Sequence, residues 1–383
     1  MDINTKLAQI GNKIDPNGAI SFPVYHSATF AHPALGESTG FDYSRSNNPT
    51  RQVLEDAIAQ IEGGFKGFAF SSGMAAISTL LTLFKPQDHL LVTEDLYGGT
   101  YRLIQNVFTN YGIEVSFVDT SDLEKVEQAI KPNSRAIICE TPTNPILRIA
   151  DLKSLAELAK ANNLLCIIDN TFMTPFLQRP IELGADIIIH SGSKYLGGHN
   201  DLIAGLVVVK DQALADKVYY LQNAMGAILG PQDSWLLIRG LKTLGLRMAT
   251  QEKNAREIAQ WLAEHPLIEK VYYPGLLGHP GHQIQKEQAS GFGAIVSFQL
   301  KYLELVPEIL KRVKIISFAE SLGGVESLIT YPWTQTHTDI PIETRERTGV
   351  NDRLLRMSVG IEAAQDIMND LSQAISVKNL DTK

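Results

Sequence analysis

A lysine, an aspartate, a tyrosine and an arginine of this chain stand beside strand-like runs, and each type has a chemical use in that position. Lys194 lies in His190-Ser-Gly-Ser-Lys-Tyr-Leu-Gly-Gly-His199, directly after the apolar run Ala185-Asp-Ile-Ile-Ile189. A lysine just past a buried strand, inside a Ser/Gly turn, is held out of water. Desolvation disfavours the ammonium and leaves a nucleophilic amine able to form a Schiff base with an aldehyde. The Ser191 and Ser193 hydroxyls and the glycine backbone beside it suit a phosphate. Asp169 closes the apolar run Leu164–Ile168, 25 residues before Lys194. One helix and one strand fill that gap, so two consecutive strands of one sheet bring both residues to the same edge, where α/β sheets bind ligands. Each has a plain alternative: a solvated loop lysine and a helix-capping aspartate.

Further residues extend the pattern. Ser71-Ser-Gly73-Met74-Ala-Ala76 follows the run Gly67–Phe70 and opens a helix, so main-chain N–H groups and the helix dipole face an anion there. Tyr97 follows the run ending at Val92 and can stack on an aromatic ring; a core or interface tyrosine is the alternative. Asn144 lies in Glu140-Thr-Pro-Thr-Asn-Pro145 and can hydrogen-bond a phenolic oxygen, or serve only as an Asn-Pro turn. Tyr43 and Arg45 lie in Tyr43-Ser-Arg-Ser-Asn-Asn-Pro-Thr50, where an arginine gives bidentate phosphate contacts or belongs to an ordinary solvated loop. Arg356 begins a strand-like run and is the natural clamp for a carboxylate, or half of a structural salt bridge. Pyridoxal phosphate (PLP) carries both an aldehyde and a phosphate, and a protein lysine is its usual anchor. Asp169 would then pair with the pyridine nitrogen and keep the ring electron-withdrawing.

These residues need a frame. From about residue 60 to 240, apolar runs at 67–70, 89–92, 114–118, 136–139, 164–168, 186–189 and 202–209 alternate with helical patterns such as 122–130 and 151–162. That alternation predicts a doubly wound, mostly parallel α/β sheet, its strands buried on both faces. Residues 1–58 read as an extended N-terminal arm reaching a neighbouring subunit, rich in Gly, Pro, Ser and Asn up to Thr50 and helical afterwards. Residues 59–240 read as the cofactor-binding domain, and 241–383 as a smaller α+β domain with a long helix (243–265) and strands near 294–298 and 356–359.

Composition narrows the function. The length of 383 residues exceeds one core. Thirty-four Lys and Arg against 42 Asp and Glu give a net charge of −8, no footprint for nucleic acid or an anionic membrane. No apolar run approaches the ~18 residues of a membrane span. The polar N-terminus lacks the layout of a signal peptide, so the expected location is the cytoplasm. The two cysteines, Cys139 and Cys166, lie in apolar runs and read as buried thiols, with no metal-ligand spacing.

Together the motifs YSRSNNPT, SSGMAA, DLYGGTYR, ETPTNP, DNTF, HSGSKYLGGHND, AESLGGVES and RMSVGIE, in that order along the whole chain, resemble the Cys/Met-metabolism family of PLP enzymes. The resemblance implies an aspartate-aminotransferase-like fold (fold type I of PLP enzymes). It implies Lys194 as the cofactor-bound lysine and proton shuttle, Asp169 as partner of the pyridine nitrogen, and Tyr97 as the stacking ring and a catalytic aid to proton transfer. Gly73, Met74, Ser191 and Ser193 would hold the phosphate, and Tyr43 and Arg45 would reach the phosphate of a neighbouring subunit in a homotetramer of active dimers. Ser321 and Arg356 would hold the substrate carboxylate with Asn144 nearby, and Glu320 would sit at the cavity mouth. Three departures stand out. Asn47 and the Ser-Gly-Ser-Lys stretch differ mildly from the family's pattern, and Trp333 puts a bulky indole where a small residue is usual, near the expected substrate mouth.

The family's synthases replace an acyl group at the γ-carbon of a homoserine ester with cysteine, and its lyases cleave cystathionine to a keto acid, ammonia and cysteine or homocysteine. The same residues serve both, and the reading favoured from Ile329–Pro341 and the first 60 residues is the γ-synthase. Two other classes have weaker support. A non-catalytic PLP binder needs no carboxylate clamp, and a nucleotide-binding oxidoreductase lacks its Gly-rich turn after the first strand.

Overall fold

The computed structural model describes residues 1–338 and 340–375. Seven strands form the first sheet: β1 (Lys66–Phe70), β2 (His89–Thr93), β3 (Glu114–Val118), β4 (Ser134–Glu140), β5 (Leu165–Asp169), β6 (Ile187–Ser191) and β7 (Gly205–Val209). Their order is β1-β7-β6-β5-β4-β2-β3, and all pairs are parallel except those made by β7. The seven apolar runs of the sequence are these seven strands. They are apolar throughout because both faces are covered. Along each strand, alternate side chains enter different cores: Leu91, Ile137, Cys139, Cys166, Ile168 and Val208 one, and Leu90, Val92, Ile138, Ile167, Ile189 and Val207 the other. The period of two in a strand makes this division automatic. Both cysteines are free and buried.

A second, five-stranded sheet has the order β10-β11-β12-β9-β8. Its members are β8 (Ile268–Tyr272), β9 (Ile295–Leu300), β10 (Ser317–Phe318), β11 (Leu328–Thr330) and β12 (Leu354–Ser358). Phe298, Leu355 and Met357 of this sheet share a core with Cys139 and Ile168 of the first. Two strands, β9 and β12, match the sequence expectation. Arg356 lies in the middle of β12 rather than at its start, because Leu354 and Leu355 already pair with β9. Strands β8, β10 and β11 are short or half-exposed and carry little pattern.

Helices cap both sheets. The helix Pro49–Glu62 starts where Asn48 accepts the N–H groups of Thr50 and Arg51 and Pro49 occupies the first turn, a cap worth about 1 kcal/mol. Before it, residues 9–48 hold only the isolated bridge Thr29 to Tyr43, and residues 31–40 are all exposed. One short helix, Ile3–Ala8, was not visible in the composition of this arm; Asp2 caps it, and it packs on the long helix Leu244–Glu264. Among the described residues, no helix is long and apolar enough to cross a membrane and no cluster of three His, Cys, Asp or Glu is placed to hold a metal ion.

Candidate active site

The C-terminal ends of β4, β5 and β6 open into a cavity of about 680 Å³ that the second sheet roofs over. Of the residues singled out in the sequence, Gly73, Met74, Tyr97, Asn144, Asp169, Ser191, Ser193, Lys194, Glu320, Ser321 and Arg356 line it.

The floor comes from strand ends. Asp169 is the last residue of β5, and its Oδ1 accepts the N–H of Thr171 at 3.0 Å. The Thr171 hydroxyl in turn accepts the N–H of Ser191 at 2.8 Å, tying β5 to the last residue of β6. Three residues on, Lys194 enters a tight turn closed by Gly198 N–H to the Lys194 carbonyl at 2.8 Å. Its Nζ donates to Ser321 Oγ at 2.7 Å. Burial, with the nearby Arg356 cation, lowers the ammonium pKa from 10.5 to about 8, against an opposing pull from Glu320. The amine is a far better nucleophile near neutrality than an ordinary lysine.

The end of the helix Gly73–Leu81 closes one side. Ser72 caps it by accepting the Ala75 N–H at 3.0 Å, so the first-turn amides of Gly73 and Met74 face the cavity end of the helix. This turn rests directly on β7, since a Cβ at Gly205 would stand 2.1 Å from the Ser72 carbonyl oxygen and 2.8 Å from the Gly73 nitrogen. Gly73 also lies against Ser191, 3.4 Å from its Cβ to where its own would be. Ser193 is fixed by accepting the Ala204 N–H at 3.0 Å. The Tyr97 ring lies over Gly99 with Met74 close by, where a Cβ on Gly99 would stand 2.4 Å from the ring.

The roof carries a buried cation. Arg356 donates to Asn144 Oδ1 at 2.9 Å, the Ser321 carbonyl at 2.8 Å and Thr330 Oγ1 at 3.1 Å, and its Nε has no partner. None of these acceptors is a carboxylate, and burial lowers the guanidinium pKa to about 10. A charge so placed calls for an anion from outside. Ser321, which meets both Lys194 and Arg356, holds a positive φ of 84° that non-glycine residues rarely adopt. Glu320 is exposed at the mouth.

Tyr43 and Arg45 do not reach this cavity within one chain. Arg45 lies 5.6 Å from the Tyr43 ring and donates to the Asn223 carbonyl and side chain at 2.8 and 3.0 Å, on an exposed face. Trp333 corrects the sequence reading. Its indole packs against the buried Arg345, with the guanidinium 4.2 Å from the ring and Nη1 donating to the Trp333 carbonyl at 2.7 Å. A buried guanidinium needs such a face, and the wall that this segment gives the cavity is Thr336.

Several positioning residues escaped the sequence reading. His337 is buried and kept neutral, its pKa lowered by burial to about 4. Its Nε2 donates to the Asn144 carbonyl at 3.0 Å while Nδ1 accepts from the Thr336 hydroxyl at 2.8 Å. Arg247, on the long helix, donates to the carbonyls of Tyr195 at 2.6 Å and Gly240 at 2.8 Å and so grips the turn after Lys194. One helical turn later, Gln251 Nε2 donates to the carbonyls of Gly324 at 2.8 Å and Val359 at 3.2 Å. Glu140, at the end of β4, accepts the N–H of Tyr97 at 2.9 Å. Only Glu140 left a trace in the sequence, as the first residue of a motif placed at a strand end.

The donors fit PLP: an amine of lowered basicity for the aldehyde, a helix end packed on β7 for the phosphate, and a carboxylate at the end of β5 for the ring nitrogen. Parallel strand ends that present these groups under a buried guanidinium define a PLP-dependent enzyme of the large α/β fold (fold type I). The chain belongs to the Cys/Met metabolism PLP-dependent enzyme family, whose profile matches residues 4–376. It is 54% identical over 374 residues to a cystathionine gamma-synthase/O-acetylhomoserine (thiol)-lyase of Bacillus subtilis, covering 97% of this chain and 96% of that one. A cystathionine beta-lyase of the same organism is 50% identical over 358 residues, covering 94% and 92%. The crystal structure of cystathionine gamma-lyase from Lactobacillus plantarum complexed with L-serine superposes with a TM-score of 0.95 at 48% identity, covering 98% of each chain. The protein is therefore a PLP-dependent enzyme of sulfur amino-acid metabolism, acting on small amino-acid substrates.

Proposed function

We propose that the enzyme is a cystathionine γ-synthase that joins cysteine to an O-acylated homoserine. The observation that carries this reading is the 54% identity, over nearly the full length of both chains, to the relative named for synthase and thiol-lyase activity. In the reaction the Cγ–O bond to the acyl group breaks, a Cγ–S bond forms, and the thiol proton leaves with the released carboxylic acid. The cavity volume lies in the range that encloses a small ligand.

In this reading Lys194 Nζ anchors the cofactor and later takes the proton from the substrate Cα. Asp169 holds a proton on the ring nitrogen, and the bound cofactor supplies the electron-withdrawing ring that stabilises negative charge at Cα. Gly73, Met74, Ser191 and Ser193 bind the phosphate. Tyr97 covers the ring and screens it from water. Arg356, steered by Asn144 and Ser321, orients the substrate through its carboxylate, so that Cα faces the Lys194 amine. Tyr43 and Arg45 complete the phosphate site of a neighbouring subunit, within a tetramer built of active dimers. The three units anticipated above then correspond to an arm contacting the neighbouring subunit (1–58), the cofactor-binding α/β domain (59–240) and the C-terminal α+β domain that carries Arg356 (241–383).

A lyase acting on cystathionine is the second reading, favoured by the beta-lyase relative and the gamma-lyase structure. Product analysis separates them. PLP-loaded protein is given O-acetyl- or O-succinylhomoserine with cysteine in one tube, and cystathionine alone in another. Cystathionine formed in the first establishes the synthase. Keto acid from the second, with no product in the first, overturns it, and the thiol released shows which C–S bond is cut.

A further inference from the structure

Glu140 ends β4 abreast of Asp169 on β5, the two paired directly across parallel strands. Residues so paired project to the same face of a sheet, and both line the cavity. Glu140 is already engaged: its Oε2 accepts the Tyr97 N–H at 2.9 Å. One carboxyl thus anchors the backbone under Tyr97 while standing beside another acid.

The charges around the pair do not neutralise two carboxylates. Asp95 approaches Glu140 from the segment after β2, Arg356 faces it from β12, and His190 on β6 lies near Asp169 but turns to the opposite face of the sheet, its ring bonded to Glu62. Lys194 lines the same cavity. Arg356 is committed to neutral acceptors, and no ion pair to either acid forms among the described residues. Burial, then the charge of Asp169, pushes Glu140 well above the usual carboxylate range. Burial raises Asp169 too, opposed by the hydroxyl and N–H of Thr171 and by His190. Two adjacent half-buried carboxyls with no cation bonded to either disfavour double ionisation. A protonated acid also suits the geometry at Glu140, since its carbonyl oxygen accepts the Tyr97 N–H and leaves an O–H to face its neighbour.

We propose that Glu140 is a positioning residue held in its protonated form, anchoring Tyr97 through its carbonyl oxygen and presenting its O–H to Asp169, so that Asp169 meets the cofactor's ring nitrogen as the one ionised carboxylate. This rests on the reading of Asp169 as the partner of that nitrogen. The proton, and not a charge, is what Glu140 contributes.

Glu140→Gln keeps the shape and removes the titration. A folded-state acid raised above its unfolded pKa loses stability as pH climbs from the unfolded value to the folded one, and an amide escapes that loss. The folding equilibrium of the PLP-free variant, relative to wild type, is therefore expected to improve by up to ~10-fold per pH unit from pH 5 upward, read by melting curves to pH 9. Its dissociation constant for PLP at pH 7 should stay within about threefold of wild type, since only neutral hydrogen bonds are exchanged. A destabilisation equal at every pH, or a tenfold weaker PLP affinity, overturns the proposal. Asp169→Asn keeps the two readings apart. It should weaken PLP binding by tenfold or more (roughly the worth of one charge-assisted hydrogen bond), and wild-type affinity there would refute the role of Asp169 itself. Should Glu140→Gln not fold, infrared spectra of PLP-free protein labelled with 13C-glutamate decide. The protonated-glutamate band must titrate about one unit lower in Asp169→Asn than in wild type, and equal midpoints overturn the proposal.

Discussion

The floor and the roof of the cavity hold their residues by different means. On the floor, Asp169 and Ser191 are the last residues of neighbouring strands, and Lys194 follows within one turn. Their spacing is inherited from the pairing of β5 with β6. On the roof, Thr330 and Arg356 face each other across β11 and β12, while Asn144 and Ser321 come from two further segments and join them through the bonds of one guanidinium. A sheet edge tolerates changes around it because the backbone ladder sets the distances. A convergent cluster depends on every member, and loss of one leaves others buried without partners.

The comparison orders the expected effects. Lys194→Ala removes the floor's only amine; turnover should fall by ~1,000-fold or more, along with the visible absorbance of lysine-bound cofactor. Retention of both would contradict the assignment. Arg356→Met tests the roof alone: kcat/KM should drop about a hundredfold, mostly through KM, with PLP affinity unchanged. A loss of PLP equal to the loss of substrate affinity would mean that floor and roof are not separable. Arg45→Ala should weaken PLP binding ~10-fold. Mixed with an inactive Lys194→Ala chain it should regain activity as subunits exchange, and no recovery would place Arg45 outside the neighbour's site. Trp333→Ala, removing a cation–π contact outside the cavity, should cost about 1–2 kcal/mol of stability and leave the preference between acyl-homoserine and cystathionine unaltered. A changed preference would return the indole to the substrate mouth.

The same difference explains what the sequence could tell. All seven strands of the first sheet and the floor residues were legible, because a buried parallel strand is an apolar run and a polar residue just past it stands at the ligand edge. Ser321 came only through resemblance and Arg356 was left between a clamp and a salt bridge, since nothing near them in the chain announces that Asn144 lies 212 residues away in sequence but 2.9 Å from the guanidinium. His337, Arg247 and Gln251 were invisible for the same reason: each acts on main-chain carbonyls, which carry no residue identity. Trp333 was misjudged because its partner, Arg345, lies on a helix formed after it.

The helix Leu244–Glu264 works as a ruler. Arg247 and Gln251, one turn apart, grip the loop that bears Lys194 at one end and, at the other, the loop after Ser321 and the residue just past β12. The span from the amine to the carboxylate clamp is therefore fixed by about 6 Å of helical rise, not by a hinge. Substrates that share the amino-acid head are gripped alike, and those with longer or shorter tails must be told apart at the open end, beside Glu320 and Thr336.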